Sequence, residues 1–488
     1  MVQMLPFEHI ISINKNSKAP VYRQIAVSII NAIRNGTLKA GTDLPGSREL
    51  AKMLGVHRRT VIAAYEELGA QDWVLILPKK NVTVSERIPI LKPQQWDTGQ
   101  ELTSYENQFA LPFRQIETIV SNTEIASASE IFIDDGYPDI RLSAIDILLK
   151  TYRFYISRKY SLKNASQDTI QGTPALRKEL ASYLSETRGL SISADNILIT
   201  HGAQMSIFLS AQLLLEPQSN VIVGKPNYPN ANKAFSETGA NIIEVKVDEN
   251  GIDTEEIESI CKKKKISAVY VIPHHHYPTT VTLSVERRMK LLELSDHYSF
   301  TIIEDDYDYD YHYNSSPYLP LASGRHQGNV IYIGSFSKIF GPFLRIGFMV
   351  APKNFIEQCT VLRRIIDVRG DSYMQNALAA IIKEGEVARQ LKKAKKHYHQ
   401  RRDFLDHQLK SKLGKYISYT LPPGGMAIWV KVKPEFPIEG LQSNQQLQIK
   451  SIDIRENAFR FGFASLNEKE LELAVTILEG IFRRIENS

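Results

Sequence analysis

The hydrophobic positions of this chain change their period along its length and divide it into segments. From residue 131 onward, short apolar runs typical of buried strands alternate with helical patterns of roughly 12–15 residues. The strand-like runs lie at 196–200, 221–224, 241–245, 268–272, 300–304 and 330–333. Because strands that alternate with helices are joined by crossovers, this pattern predicts an α/β domain with a mostly parallel central sheet. Long helical patterns at 374–412 and a smaller α/β portion at 416–488 follow it.

Residues 19–68 carry a helical pattern instead. Apolar residues at helical spacing predict helices at 19–35, 48–54 and 57–68, with Ser47 as the N-cap of the second helix. Two short helices separated by a glycine turn form a helix-turn-helix, whose second helix offers its first residues to the major groove of DNA. The alternative is a small helical subdomain with a solvated basic face. The candidate DNA-contacting residues of that second helix are His57, Arg58, Arg59 and Thr60.

The distribution of charge favours a polyanionic partner for this first segment. The formal net charge of the chain is +5, and residues 1–80 hold 11 Lys and Arg against 6 Asp and Glu. The whole positive excess therefore lies in these 80 residues, and the remaining 408 sum to zero. Such asymmetry is the electrostatic footprint of a nucleic-acid-binding module.

Residues 19–68 resemble the winged helix of the GntR-type regulators along their whole length. The resemblance implies that Arg48, after the Leu-Pro-Gly-Ser turn, and the start of the third helix contact DNA. Runs 73–77 and 82–84 correspond to the two wing strands. The family usually places glycine at the wing tip, and this chain has Lys79 and Lys80, which suit a phosphate backbone. The predicted DNA-binding domain is 1–85, and the polar, proline-bearing stretch 86–128 is predicted as a linker.

The candidate chemistry is concentrated around one lysine. Ser335, Ser337 and Lys338 lie within four residues at the end of an apolar run, and Arg345 follows seven residues after the lysine. This set suits a phosphorylated aldehyde, since the amine forms a Schiff base while the hydroxyls and the guanidinium hold a phosphate. The motif is short, and a solvated surface lysine is the alternative.

A second apolar run, 301–311, passes into carboxylates and tyrosines. Asp305 lies 33 residues before Lys338. This spacing resembles the fold-type I family of pyridoxal 5'-phosphate (PLP) enzymes, the aminotransferases. The resemblance implies that Asp305 pairs with the protonated pyridine nitrogen and that Tyr307 hydrogen-bonds the ring hydroxyl. A solvated acidic loop is the alternative.

Further loops resemble the same family. Residues 200–204 follow a strand and open a helix, so the backbone of Gly202, Ala203 and Gln204 is expected to face the cofactor phosphate. Tyr228 stands where the family stacks an aromatic ring on the pyridine. Arg460, in an otherwise apolar strand, stands where the family binds the substrate carboxylate bidentately.

The loop 273–280 departs from the family pattern. Tyr277, another expected cofactor contact, stands where aminotransferases carry an asparagine, and Thr280 replaces the turn glycine. Because a β-branched residue is disfavoured at positive φ, this loop is expected to take another path. The three histidines at 274–276 would point to alternate sides of a strand, which argues against a metal site.

The order of winged helix, linker and aminotransferase-like domain (129–488) resembles the MocR subfamily of GntR regulators. The resemblance implies a domain-swapped homodimer that binds double-stranded operator DNA, carries PLP on Lys338 and senses a small amino compound or PLP itself. The rivals are a working aminotransferase with an appended DNA-binding module and a PLP sensor that drives vitamin B6 genes. Two cysteines without metal or disulfide spacing, and no signal or membrane-spanning run, predict a cytoplasmic protein.

Overall fold

The computed structural model describes residues 6–14, 17, 19–77, 81–87, 112, 114, 116, 131–157, 170–313, 318–441 and 446–487. The chain forms two compact units, Met1–Gln115 and Ile116–Ser488, each with hydrophobic cores of its own. Lys79, Lys80 and nearly all of the predicted linker 86–128 lie outside the described residues. Among the described helices, none combines the length and the apolar character that a membrane span requires.

The first unit is a winged helix-turn-helix, as predicted. Its helices are α1 Phe7–Ile10, α2 Val21–Arg34, α3 Ser47–Leu54 and α4 Arg58–Ala70. Its strands β1 Asp43–Leu44, β2 Val74–Ile76 and β3 Val82–Val84 form an antiparallel sheet in the order β1-β3-β2. Helix α3 ends at Gly55, whose φ of +62° lets the chain turn into α4. Gly46 occupies the N-cap of α3, so the prediction of Ser47 as its cap was wrong by one residue.

The second unit contains helices on a central sheet, as the alternating pattern predicted. The helices are α5 Ile145–Ile156, α6 Pro174–Arg188, α7 Ala203–Leu214, α8 Pro229–Ser236, α9 Thr254–Cys261, α10 Val285–Tyr298, α11 Ser337–Phe340, α12 Lys353–Asp367, α13 Ser372–Lys383, α14 Glu386–Gln408 and α15 Glu468–Glu486. The long helical pattern at 374–412 divides into α13 and α14 at Gly385, which has a φ of +73°.

The central sheet has eight strands in the order β5-β12-β11-β10-β9-β6-β7-β8. These are β5 Ile197–Thr200, β6 Asn220–Lys225, β7 Asn241–Asp248, β8 Gly251–Ile252, β9 Ala268–Val271, β10 Thr301–Asp306, β11 Val330–Ser335 and β12 Gly347–Val350. Strands β7, β6, β9, β10 and β11 run parallel, and β12 is antiparallel to both of its neighbours. Every residue of β5, β9 and β12 is buried, because helices cover both faces of such a sheet.

The remaining strands belong to the smaller portion near the C-terminus. Strands β13 Ile417–Ser418, β14 Ala427–Val432, β16 Ile452–Asp453 and β17 Ala458–Gly462 form an antiparallel sheet. Strand β15 Leu447–Ile449 instead pairs in parallel with β4 Ile131–Ile133, near the start of the unit. In the central sheet, the carboxyl ends of β6, β9, β10 and β11 meet at one edge, where α/β proteins place their ligands.

Candidate functional site

A cavity of about 470 Å³ lies at this edge of the central sheet. Its lining brings together residues from loops that are far apart in the sequence. It contains every predicted cofactor residue except Gly202, namely Ala203, Gln204, Tyr228, Tyr277, Asp305, Tyr307, Ser335, Ser337, Lys338 and Arg345. The volume matches the range of small-molecule sites.

Lys338 lies at the start of α11, directly after β11. Its Nζ donates a 2.6 Å hydrogen bond to the carbonyl oxygen of Gly136 and lies 5.4 Å from the ring centroid of Tyr307. Burial lowers the pKa of the Lys338 amine, while the Asp135 carboxylate opposes this change. A lowered pKa increases the fraction of neutral amine, which is the form that attacks an aldehyde.

Asp305 lies at the end of β10, and only one of its two carboxylate oxygens accepts a hydrogen bond. Its Oδ2 accepts a 2.7 Å hydrogen bond from the Tyr270 hydroxyl, whereas its buried Oδ1 has no hydrogen-bond partner among the described residues. Burial raises the pKa of Asp305 to about 7. A cationic ring nitrogen against Oδ1 would satisfy this orphaned atom and stabilise the carboxylate.

Gly202 and Arg345 form a tight cradle at the start of α7. Arg345 has a φ of +51° and donates from Nη2 to the carbonyl oxygen of His201 at 2.8 Å. A Cβ on Gly202, which has a φ of +84°, would lie 2.9 Å from that same Nη2. Ser335 donates to the Ser337 hydroxyl at 2.9 Å on the same cavity wall. Glycine, guanidinium, hydroxyls and a helix N-terminus are the donor set of a phosphate site.

Tyr307 links the cavity to Arg460. Its hydroxyl donates to the carbonyl oxygen of His275 at 2.8 Å and accepts from Arg460 Nη2 at 3.0 Å. Arg460 also donates from Nε to Asp135 O at 2.8 Å and from Nη1 to Pro278 O at 2.9 Å. All three guanidinium nitrogens therefore bind protein acceptors, and Arg460 is only 1% exposed. Its predicted contact with a substrate carboxylate stays a prediction.

Two tyrosines and an amide complete the inner part of the cavity. The rings of Tyr228 and Tyr277 meet edge to face, with centroids 5.4 Å apart and planes at 74°. The Tyr277 hydroxyl lies 3.2 Å from the Ser451 hydroxyl. Gln204 donates to the carbonyl oxygen of Asn230 at 3.0 Å, and its buried Oε1 has no partner among the described residues.

Two charged residues of the cavity lining were missed by the sequence reasoning. Asp135 and Lys450 form an ion pair, with Lys450 Nζ 3.1 Å from Asp135 Oδ1. The same Nζ also donates to the Tyr137 hydroxyl and lies 4.1 Å from the centroid of its ring. We call Asp135, Tyr137 and Lys450 the outer wall, and Asp305, Ser335, Ser337, Lys338 and Arg345 the inner wall. No local signal in the sequence marked Lys450.

The histidine run pairs with the acidic run. His274 Nδ1 lies 3.0 Å from Asp306 Oδ1, and His275 Nδ1 lies 2.8 Å from Asp308 Oδ1, all four side chains being buried. Among the described residues, no group of three or more His, Cys, Asp or Glu side chains is placed to hold a metal ion. His275 also supports Tyr307, whose hydroxyl donates to the His275 carbonyl oxygen.

The loop at 273–280 was expected to avoid a positive φ at Thr280 and to take another path, but it keeps the positive φ. Thr280 is buried and has a φ of +61°, in the left-handed region. Its N–H donates to the carbonyl oxygen of His276 at 2.6 Å, and His276 N–H donates to Val281 O at 2.9 Å. The expectation was wrong because these two backbone hydrogen bonds hold the turn closed despite the β-branched side chain.

The candidate DNA-binding residues lie together on the first unit. Arg48, His57, Arg58 and Arg59 are exposed and Thr60 is half-buried. The His57 side chain caps α4 by accepting from Arg59 N–H at 3.2 Å, and Arg58 Nε donates to the Ser47 hydroxyl at 3.3 Å. The start of α4 is therefore tied to α3 while its guanidinium groups face solvent, as major-groove recognition requires.

The cavity residues fit PLP. The orphaned Asp305 oxygen suits the ring nitrogen, the Gly202–Arg345 cradle suits the phosphate, and Lys338 suits the aldehyde carbon. When bound, PLP supplies an electrophilic aldehyde and an electron sink. The protein supplies the amine, the counter-charges at both ends and, through Tyr228 and Tyr277, an apolar enclosure.

Comparison with known proteins yields two family matches. Residues 21–84 match the model for "Bacterial regulatory proteins, gntR family", and residues 161–478 match that for "Aminotransferase class I and II". The uncharacterized HTH-type transcriptional regulator YdfD of Bacillus subtilis is 27% identical, covering 94% of this chain and 96% of its own length. The probable rhizopine catabolism regulatory protein MocR of Rhizobium meliloti is 24% identical, covering 98% of this chain and 96% of its own length.

A solved structure shares the fold of the second unit. Kynurenine aminotransferase of Pyrococcus horikoshii superposes with a TM-score of 0.68 at 26% identity, covering 74% of this chain and 92% of that protein. The regulators match this chain nearly end to end, whereas this aminotransferase covers about three quarters of it. The chain belongs to the aminotransferase class I and II family and, within it, to the MocR subfamily of GntR-type transcription regulators.

Proposed function

We propose that this regulator carries PLP covalently on Lys338 and changes its affinity for operator DNA when a small amino compound reaches the cofactor. The observation that carries the proposal is the cavity at the end of the central sheet. There an amine, an orphaned carboxylate oxygen and a glycine–arginine cradle are arranged for one aldehyde, one ring nitrogen and one phosphate.

The regulatory part of the proposal rests on differential binding. A ligand shifts an equilibrium only as far as it binds the two states with different free energies. Lys338 would bind the cofactor in the absence of effector, and an incoming amine would release it, so the Lys338 amine would exchange its bond for contacts with Gly136 and Asp135. This rearrangement reaches strand β4 through Asp135, and it is the change that we expect the effector to impose on the protein.

The DNA-binding part rests on the exposed start of α4. Arg59→Ala in the PLP-loaded full chain should weaken binding to a selected operator duplex by roughly 1–3 kcal/mol if the guanidinium contacts a base. If it contacts a phosphate instead, the slope of affinity against salt should fall by about 1. Fluorescence anisotropy at several salt concentrations measures both. Arg23→Ala is the matched control, because Arg23 is an exposed arginine paired with Glu67 on the same unit.

The same assay tests sensing and separates the regulator from a catalyst. Amino acids are added to the PLP-loaded protein, and operator affinity and the visible absorption of the cofactor are followed together. We expect a lasting spectral change accompanied by a change in operator affinity. Sustained turnover after addition of a keto acid, at about 1 per second or faster, would favour the aminotransferase rival. A spectral change with constant DNA affinity would contradict sensing. Affinity independent of sequence and salt would contradict operator binding.

A further inference from the structure

Helix α14 of the second unit concentrates positive charge far from the cofactor cavity in the sequence. Residues 387–402 contain seven Lys and Arg and no Asp or Glu. Residues 81–488 as a whole sum to zero formal charge, so this run is a local feature of one helix. A local excess of one sign on a neutral unit indicates a surface for a partner of the opposite sign.

The packing of α14 turns four of these cations to one side. The buried apolar residues of the helix belong to the core of the unit and are Val387, Leu391, Ala394, Tyr398 and Leu405. The cations at positions i, i+3, i+4 and i+7 on the opposite side are exposed and are Arg389, Lys392, Lys393 and Lys396. We call these four residues the basic stripe, which extends about 10 Å along the helix. Arg401 and Arg402 are buried instead and donate to backbone carbonyl oxygens.

The lysines of the basic stripe are not neutralised by neighbouring acids. Arg389 pairs with Glu386 at 2.6 Å, but the three lysines have no carboxylate partner among the described residues. Other exposed helical cations of this unit have an acid one turn away, as in the pairs Lys262–Glu258, Lys410–Asp406 and Arg483–Glu479. Like charges three and four residues apart repel each other, so the stripe lowers the stability of its own helix. Binding of a polyanion would remove this repulsion.

The chemistry of the stripe favours duplex DNA over other polyanions. Over about 10 Å of its axis a duplex presents about six phosphate charges, and lysine binds phosphate as a point charge. The apolar side of α14 is buried in the core, so the helix has no apolar face to insert into a membrane. The stripe also lacks the aromatic residues that are typical of protein interfaces. The first unit belongs to a DNA-binding family, so a bound duplex is already at high local concentration.

We propose that the basic stripe binds the sugar-phosphate backbone of the DNA that flanks the operator. The inference rests on operator binding by the first unit, which is part of the proposed function. Contacts to phosphate carry no sequence information, so the stripe adds affinity and salt dependence but no specificity. The second unit then contributes directly to DNA binding, in addition to sensing the effector.

Two duplexes test the inference with the PLP-loaded full chain. Both carry an operator selected in vitro with this chain. The short duplex ends at the bases that the bound protein protects under the first unit, and the long duplex adds flanks of random sequence. Fluorescence anisotropy at several salt concentrations gives the affinity and its slope against salt. We expect the wild type to bind the long duplex more tightly, with a slope that is steeper by about three.

The stripe variant replaces all four residues by glutamine, which also favours helix: Arg389→Gln, Lys392→Gln, Lys393→Gln and Lys396→Gln. It should lose at least about tenfold in affinity for the long duplex at about 0.1 M salt, and show equal slopes on the two duplexes. Its affinity for the short duplex should stay at the wild-type value. Lys393→Gln alone should lower the slope on the long duplex by about one. Chemical denaturation should find the stripe variant at least as stable as the wild type, because like charges have been removed.

Two controls separate the stripe from net charge. The matched control removes four exposed, ion-paired lysines outside the stripe: Lys262→Gln, Lys353→Gln, Lys410→Gln and Lys415→Gln. It changes the net charge by the same amount and should bind both duplexes as the wild type does. Replacement of the three stripe lysines by arginine keeps their charge and should keep the slope. Equal losses in the matched control and the stripe variant would overturn the inference.

The failure of this inference is distinguishable from the failure of the proposed function. A wild type that binds no operator would overturn operator binding and this inference together. Operator binding that Arg59→Ala weakens, with equal salt slopes on the two duplexes, would overturn the role of the stripe alone. Vesicles of phosphatidylserine and phosphatidylcholine test the rival surface. Vesicle binding that the stripe variant loses, with unchanged binding to the long duplex, would assign the stripe to a membrane and overturn the inference.

Discussion

The inner and outer walls of the cavity are built in different ways. The inner wall comes from one stretch of 41 residues, Asp305 to Arg345, and from two adjacent parallel strands in which Asp305 lies beside Ile333. The outer wall joins residues 135 and 450, which meet only because β4 and β15 pair. The inner wall is set by local sequence and suits an invariant cofactor. The outer wall is set by tertiary structure and is held by the ion pair of Asp135 with Lys450.

The largest expected effect separates the two lysines of the cavity. Lys338→Ala should abolish the visible absorption of bound PLP, because Lys450, the other lysine that the described residues place on the cavity lining, is held by Asp135 and Tyr137. Borohydride reduction followed by peptide mapping should find pyridoxyl-lysine at residue 338 in the wild type and at no residue in the variant.

Lys353→Ala is the matched control for this variant. Lys353 is an exposed lysine 3.1 Å from Asp195 and outside the cavity lining, so its removal should leave the absorption intact. Reduction that placed the label on Lys450, the other lysine of the lining, would contradict the division between the walls.

A smaller effect tests how the outer wall acts on the inner wall. The Asp135 carboxylate raises the pKa of the Lys338 amine against the effect of burial, and Lys338 in turn helps to lower the pKa of Asp135. Asp135→Asn removes this negative charge, so the pKa of Lys338 should fall. The neutral amine then persists to lower pH, and PLP should attach at a lower pH than in the wild type.

The measurement is the rate at which the apo protein gains visible absorption after PLP is added, recorded across pH. Asp146→Asn, in an exposed acidic residue of α5, should leave the profile unchanged. A profile that moved to higher pH in Asp135→Asn, or did not move, would show that the outer wall does not control the Lys338 charge.

The smallest effect concerns the backbone beneath the cavity. Thr280→Gly replaces a β-branched residue that has a φ of +61° by glycine, which adopts this conformation without steric cost. The substitution should raise the free energy of unfolding by up to about 1 kcal/mol. Chemical denaturation of the apo protein measures this. Ser299→Gly is the matched control, because Ser299 also has a positive φ, of +55°. Ser299 is the C-cap of α10 and not part of the loop at 273–280. A destabilised Thr280→Gly would mean that the buried side chain contributes more by packing than its conformation costs.

Much of the fold follows from local patterns. The helix-turn-helix, the parallel strands and the cavity loops were predicted because each depends on a short run: apolar spacing, a glycine turn, or a polar residue directly after a buried strand. Lys338 and Asp305 meet for the same reason, since the ends of parallel strands share an edge. Arg345 joins them because it precedes the antiparallel strand β12, whose Gly347 pairs with Ser335.

The rest depends on contacts that no short run reveals. The pairing of His274 with Asp306 and of His275 with Asp308 joins two runs that each looked like a feature of its own. Lys450 lies in a stretch with no distinctive pattern, and only its pairing with β4 brings it to the cavity. Thr280 departs from propensity because neighbouring backbone hydrogen bonds outweigh a local cost.

The pairing of β4 with β15 also determines the order in which the two walls of the cavity can form during synthesis on the ribosome. The segment that supplies the inner wall emerges before β15, whereas Lys450 and Arg460 emerge more than 100 residues after Arg345. Closing a loop between residues 133 and 449 is among the slowest steps available to such a chain. A nascent chain can thus form the inner wall, which suits the cofactor, before it forms the outer wall. The outer wall is completed only when β15, near the end of the unit, has paired with β4.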